Sequence, residues 1–345
     1  MSAFEGFPGE TREDDSSDLE RALWVRTLLG EGEELSESTA LARRMRKSLL
    51  ERGRYLYRQG SSSDTVYFIV SGSVALVHDG VKTREFGERS VLGLIDSSLN
   101  RLHAFDALAH EDSVVLELDI EDWFEFLEDN FELTCRILLR LANALPPTSP
   151  PKPDLSRPTA FLRKRRSRTG EQVEDHRASL GPTLGLSFVE RLAVLRACPP
   201  LAQARIQALA RLAHFAEMVS LGQGEARTLE PGALYLVETG RVLSTTRESE
   251  GNVWHDETRP GGAIAGVGLL QAGRFETEVS ALEPSTLFRI SRERLFDVME
   301  DHFSVATSLF AYTAAELEAV ALQGSLASAP SQAGFVDPFE AAAAG

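Results

Sequence analysis

Two stretches of this chain repeat each other in register, and no other feature constrains its fold as much. VYFIVSGSVALV (66–77) alternates apolar residues around Gly72, and LYLVETGRVLS (234–244) does the same around Gly240. Tyr67 and Tyr235, Gly72 and Gly240, and Val74 and Val242 each lie 168 residues apart. A second block, AHEDSVVLELDIEDWFEFLEDNF (109–131), matches ALEPSTLFRISRERLFDVMEDHF (281–303). There Ala109 and Ala281, Leu118 and Ile290, Phe124 and Phe296, and Phe131 and Phe303 are all 172 apart. The difference of four places an insertion between the blocks, and the polar run RESEGN (247–252) is the natural site for it. Two blocks that agree independently imply a duplicated domain.

Each copy has the same plan: a helix or two, short strands of period-two alternation broken by Gly turns, then an amphipathic helix. Short strands separated by glycines predict a β-roll. The fold class expected is mainly β with flanking helices (α+β), two tandem jelly-roll units each closed by a long amphipathic helix. The first closing helix is predicted over Glu121 to Leu145, with Phe124, Leu127, Phe131, Ile137, Leu138 and Leu141 near helical spacing. Its counterpart begins near Ser291 and carries Leu295, Phe296, Met299, Phe303, Leu309 and Phe310.

The domains expected are an acidic N-terminal segment with a helix (1–40), a first β-roll (41–145), a linker (146–183), a second β-roll (184–322) and a disordered tail (323–345). The linker opens with the Pro-rich LPPTSPPKPDLSRPT, which supports neither helix nor ladder. It continues with a basic cluster, Arg163 to Arg166 and Arg168, around Ser167. Ser167 follows three basic residues and is a phosphorylation candidate, since a phosphate there would subtract about 1.5 to 2 charges from the cluster. Pro199 and Pro200 divide the start of the second domain into two helices.

A net charge of -16 disfavours general nucleic-acid binding, which draws on basic side chains. No DNA-binding helix-turn-helix is expected after Leu322. Two cysteines, Cys135 and Cys198, read as small buried hydrophobes. The first residues carry no signal-peptide pattern, and the longest uncharged stretch is too short to span a bilayer. A cytoplasmic protein with no membrane span is the expectation. The histidines are scattered, so no metal site is expected. No nucleophile elbow or phosphate loop occurs, and no catalytic residues are assigned. The pairs Glu128/Asp129 and Glu300/Asp301 read as solvated helix faces.

The repeated unit resembles the cyclic nucleotide-binding domain, the β-roll of protein kinase A regulatory subunits and catabolite-activator-like regulators. The resemblance rests on Gly53, Gly60, VYFIVSGSVALV, Gly93 before a short helix, and the closing pattern of Ala, an aliphatic nine residues later, and the long helix. The second copy repeats it as LYLVETGRV, PGGAIAGVGLL and ALEPSTLFRI. The resemblance implies a ligand segment with Phe-Gly-Glu and an Arg six residues before that Ala. The carboxylate accepts from the ribose 2′-hydroxyl and the guanidinium pairs with the phosphate.

Both copies depart from this pattern. In the first, Gly93 fits, Leu94 stands at the Glu position, His103 stands at the Arg position and Arg101 lies two residues early. In the second, Ala265 and Gly266 replace Gly and Glu, Phe275 replaces Arg, and Arg274 lies one residue early. Losing one charge-assisted hydrogen bond and stranding one ligand hydroxyl costs about 3 to 6 kcal/mol, on the order of 10² to 10⁴ in affinity. The reading is a non-catalytic regulatory or adaptor protein acting through protein contacts, without the usual cAMP or cGMP binding and with no cofactor. Its alternatives are a genuine cyclic nucleotide receptor, with cyclic nucleotide as ligand, and a structural assembly component. Its partners are other proteins, with homodimerisation through the long helices as one route.

Overall fold

In a computed structural model the described residues are 21–25, 35–145, 188–248, 251–270 and 275–327. They fall into two compact units, the first ending at Phe126 and the second beginning at Leu127. The expected linker with Ser167, the tail beyond 327, most of the N-terminal segment and Arg274 lie outside the described residues.

The first unit opens with helix α1 (Leu35–Arg44) and continues through eight strands. One sheet has the order β1 (Arg46–Leu50), β8 (Ser113–Asp119), β3 (Thr65–Ser71), β6 (Val91–Leu92). The other has the order β2 (Tyr55–Tyr57), β7 (Asp106–Ala109), β4 (Val74–His78), β5 (Val81–Phe86). The pairings are antiparallel throughout. Inward-facing positions of both sheets meet in one core, built from Leu50, Tyr57, Ile69, Val74, Leu92, Ala107, Ala109 and Val115. That shared interior makes the two sheets a roll. Helix α2 (Leu94–Ser98) follows β6, and α3 (Ile120–Asp129) follows β8.

In the second unit α4 (Phe131–Ala144) is followed by α5 (Phe188–Ala197), a 3-10 turn at Pro199–Leu201 and α6 (Ile206–Phe215). The Pro pair divides these helices, as the sequence predicts. Its sheets are β10 (Ala226–Thr228), β14 (Phe275–Ala281), β12 (Val242–Glu248), β13 (Val253–Thr258), and β11 (Ala233–Thr239), β15 (Ser285–Ser291), β9 (Glu217–Leu221). Helices α7 (Arg292–Asp301) and α8 (Ser304–Ala327) close the unit.

The duplication holds at the level of single hydrogen bonds. Gly53 N donates to Ala109 O at 2.9 Å, and Gly224 N donates to Ala281 O at 2.8 Å. The bulge in β3 between Ile69 and Ser71 recurs in β11 between Val237 and Thr239. Gly72 and Gly240 have φ near +85° and +82°. A Cβ on Gly72 would lie 2.5 Å from Asp112 O, and one on Gly240 would lie 2.5 Å from Pro284 O. The turn therefore excludes any side chain in both copies. The insertion lengthens the second hairpin, with β12 of seven residues against five in β4.

Each closing helix is interrupted, and at the same place. Asn130 (φ -119°, ψ 69°) separates α3 from α4, and His302 (φ -138°, ψ 79°) with Phe303 separates α7 from α8. Asn130 and His302 are 172 apart, so the kink belongs to the repeat. Single helices expected from Glu121 and from Ser291 are each a helix pair, because periodicity carries across one or two non-helical residues without a visible break. Among the described residues no helix is long and apolar enough to cross a membrane.

Candidate functional site

In the first unit the segment that the resemblance assigns to a ligand runs from β6 through α2 to β7. Gly93 caps α2 in the left-handed region (φ 83°). A Cβ there would lie 2.6 Å from Thr65 O and 3.7 Å from the His103 ring, so the segment needs glycine to lie this close to β3. After α2 the chain turns back through Asn100, also left-handed (φ 50°), and Arg101 N donates to Asp96 O at 3.1 Å. His103 is pinned by its main chain, with Gly60 N donating to its carbonyl at 2.8 Å and its amide donating to Ser61 O at 3.0 Å.

This fold-back gathers an arginine and a histidine on one carboxylate. Arg101 Nε and Nη2 both stand 2.7 Å from Asp96 Oδ1. On the other oxygen, Oδ2, His103 Nδ1 and Ala104 N each lie at 3.3 Å. A carboxylate only accepts, so Nδ1 carries the proton of that bond. Burial pushes the Asp96 carboxyl up, but the His103 bond, the Arg101 charge and hydrogen bond, and the Ala104 amide outweigh it and hold the group below the usual carboxylate range. The His103 ring stacks on Tyr57 at 3.7 Å between centroids and 11° between planes. Its Nε2 is buried with no hydrogen-bond partner. Burial, with the Asp96 and Tyr67 charges behind it, raises the Tyr57 phenol.

Of the residues the sequence singles out here, Gly93, Arg101 and His103 come together, and Leu94 opens α2 at the edge of the group. Arg101, two residues early by count, reaches the same carboxylate as His103. Asp96 and Tyr57 escaped the sequence reading. The signal available for Asp96 was a lone acid inside an otherwise uncharged segment, LGLIDSSLN.

The corresponding segment of the second unit is built differently. Ala265 and Gly266 are both left-handed, with φ 54° and 55°. That conformation costs a non-glycine residue such as Ala265 about 1 kcal/mol. Residues 263–270 are buried throughout, whereas the first segment exposes Ile95 and Leu102, the latter 60% accessible. Helix α4 packs against the 3-10 turn Gly268–Leu270, and α8 lies beside Gly266. Phe275 is 6% accessible and meets Trp254 edge to face, with centroids 6.0 Å apart. It is a core residue at the position where the resemblance expects a guanidinium.

Facing Gly266 is Glu316 of α8, which the sequence reading missed because it sits in an apolar helical run. A Cβ on Gly266 would lie 2.9 Å from Glu316 Oε1 and 3.2 Å from the Tyr312 hydroxyl. Glu316 is 3% accessible. Burial raises its carboxyl to about 8, a rise the Tyr312 hydrogen bond partly offsets. Among the described residues no group of His, Cys, Asp and Glu is arranged to hold a metal ion.

Two β-rolls of this build, the first with a glycine-led segment between a short strand and a short helix, define the cyclic nucleotide-binding class of domain. The family model described as cyclic nucleotide-binding domain matches this chain twice, at 48–130 and 222–302. The chain therefore carries two cyclic nucleotide-binding domains in tandem. Similar solved structures include the regulatory subunit of a cAMP-independent protein kinase A from Trypanosoma brucei, a mutant bound to cAMP in its A site. It is 14% identical over 84% of this chain and 93% of that one, with a TM-score of 0.31. The corresponding Trypanosoma cruzi subunit bound to guanosine is 14% identical over 85% and 91%, TM-score 0.30. A cyclic nucleotide-binding-like protein from Brucella abortus is 28% identical over 32% of this chain and 99% of that one, TM-score 0.27. No curated protein matches the chain.

Proposed function

We propose that this protein is a non-catalytic regulator or adaptor that acts through protein contacts and does not take cAMP or cGMP in the usual way. One observation carries the reading: Arg101, His103 and the Ala104 amide already converge on Asp96. A ligand phosphate needs the same donors, so it must displace a carboxylate that is covalently part of the chain. A tethered anion competes at a high effective concentration, in the millimolar range or above. In the second domain the ligand segment is buried, and Phe275 offers no donor.

The competing reading, a second-messenger receptor, draws on the presence of Arg101 near the expected position in a segment that is partly exposed. Calorimetric titration of the full chain with cAMP, cGMP and cyclic dinucleotides separates the two. Absence of binding supports the adaptor reading, and micromolar binding supports the receptor. For the adaptor, the partner is sought by affinity capture with the whole protein as bait, comparing the wild type with a Leu102→Asp variant of the exposed rim.

A further inference from the structure

The second ligand segment and α8 meet in a way that the loss of a ligand does not explain. Gly266 has no side chain at the position where the resemblance expects Glu, and the space is filled from outside the segment, by Glu316 Oε1 and the Tyr312 hydroxyl. Glu316 Oε1 has no hydrogen-bond partner and the residue is 3% accessible. α8 is buried continuously from Ser304 to Leu317. It is seated by Gln203 N donating to Ser308 Oγ at 3.0 Å and Arg205 N donating to Ser304 Oγ at 3.1 Å. α4 and the turn Pro199–Leu201 pack along it.

We infer that the second ligand segment serves as a socket for the chain's own helix α8, and that the Glu316 side chain is a proton-operated latch, seated while neutral and released when ionised. Neutral, the carboxyl fits a dry pocket with only the Tyr312 hydroxyl as partner. Ionised, it leaves an uncompensated charge there, a state that favours the segment and helix moving apart into water. The titratable groups around it are few. Tyr312 lies on the same helix, while Cys198 before the Pro turn and Asp256 on β13 act on Tyr312. Cys135 and Glu132 of α4 and Glu300 of α7 form a separate group. The basic side chain at the segment is Arg292, whose Nη1 donates to Leu270 O at 3.3 Å. Of these groups the Tyr312 hydroxyl favours an anion at Glu316, and burial outweighs it. Burial raises the carboxyl to about 8, so it changes state around that pH. This inference concerns the second domain alone and does not depend on how the first domain treats cyclic nucleotides.

The test is amide hydrogen exchange of the full chain, read by mass spectrometry on peptides covering 261–270 and 304–318, from pH 5 to 9.5 and corrected for intrinsic exchange. Opening that exposes Glu316 releases one proton, so the opening constant should rise about tenfold per pH unit up to about pH 8 and then level off. Glu316→Gln should abolish the slope in these peptides and leave it unchanged elsewhere. Tyr312→Phe removes the donor that favours the ionised form, so the levelling-off should move to higher pH, which keeps the test open if Glu316→Gln proves unstable. A flat wild-type profile, or an equal slope in Glu316→Gln, overturns the inference.

Discussion

The Arg101 guanidinium holds the Asp96 carboxylate with two nitrogens at 2.7 Å, five residues apart in sequence and joined across the turn at Asn100. On the proposed reading, that pair occupies donors that an external anion would need. Removing the acid should show both sides of the bargain. Asp96→Ala strands Arg101 and His103 and should destabilise the protein by about 1 to 3 kcal/mol in urea denaturation, a range kept low because Arg101 is partly solvated.

The same pair sets an acid limit. The folded carboxyl lies below its ordinary value of 3.8, so its stabilisation is complete above that value and is lost as pH falls through the lower folded value. Urea midpoints measured from pH 2 to 6 should drop more steeply at the acid end in the wild type than in Asp96→Asn. Parallel curves would show that the pair contributes nothing.

Glu316 has the opposite sign. Its folded value, about 8, lies above its ordinary 4.5, so the folded state binds the extra proton. Its contribution is therefore present below pH 4.5, declines as pH rises through the interval and is gone above about 8. In thermal denaturation Glu316→Gln should be flatter than the wild type between pH 5 and 8, and more stable at pH 8.

Gly266→Ala should expose the fit between the segment and α8. The added Cβ would lie 2.9 Å from Glu316 Oε1. A loss of about 1 to 3 kcal/mol is expected, with part of it recovered when the change is combined with Glu316→Ala. Strict additivity in the double-mutant cycle would remove the proposed contact.

Restoring family residues should work in one domain only. Phe275→Arg buries a charge beside Trp254 and should cost about 3 kcal/mol or more without creating cyclic nucleotide binding. His103→Arg in an Asp96→Ala background should gain binding, measured by calorimetry with cAMP, whereas His103→Arg alone should not.

The roll, its duplication and the Gly72 and Gly240 turns were legible because each depends on local rules: alternation of apolar residues, and glycine where a carbonyl closes to within contact. The paired kinks at Asn130 and His302 were not, since one or two non-helical residues barely disturb a helical pattern. The pocket was half legible. Counting from Ala109 put His103 where the resemblance expects Arg, but spacing alone could not show that a left-handed Asn100 folds Arg101 back onto Asp96. Counting likewise showed that Gly266 lacks a carboxylate. It could not show that Glu316, fifty residues on, brings one back from α8.

The most direct measurement is isothermal calorimetry of the full-length wild type and its Asp96→Ala variant with cAMP and, separately, with inorganic phosphate. A filled pocket predicts no binding by the wild type at millimolar ligand and measurable phosphate or cAMP binding once Asp96 is removed. Micromolar binding of cAMP by the wild type, unchanged in Asp96→Ala, would contradict it.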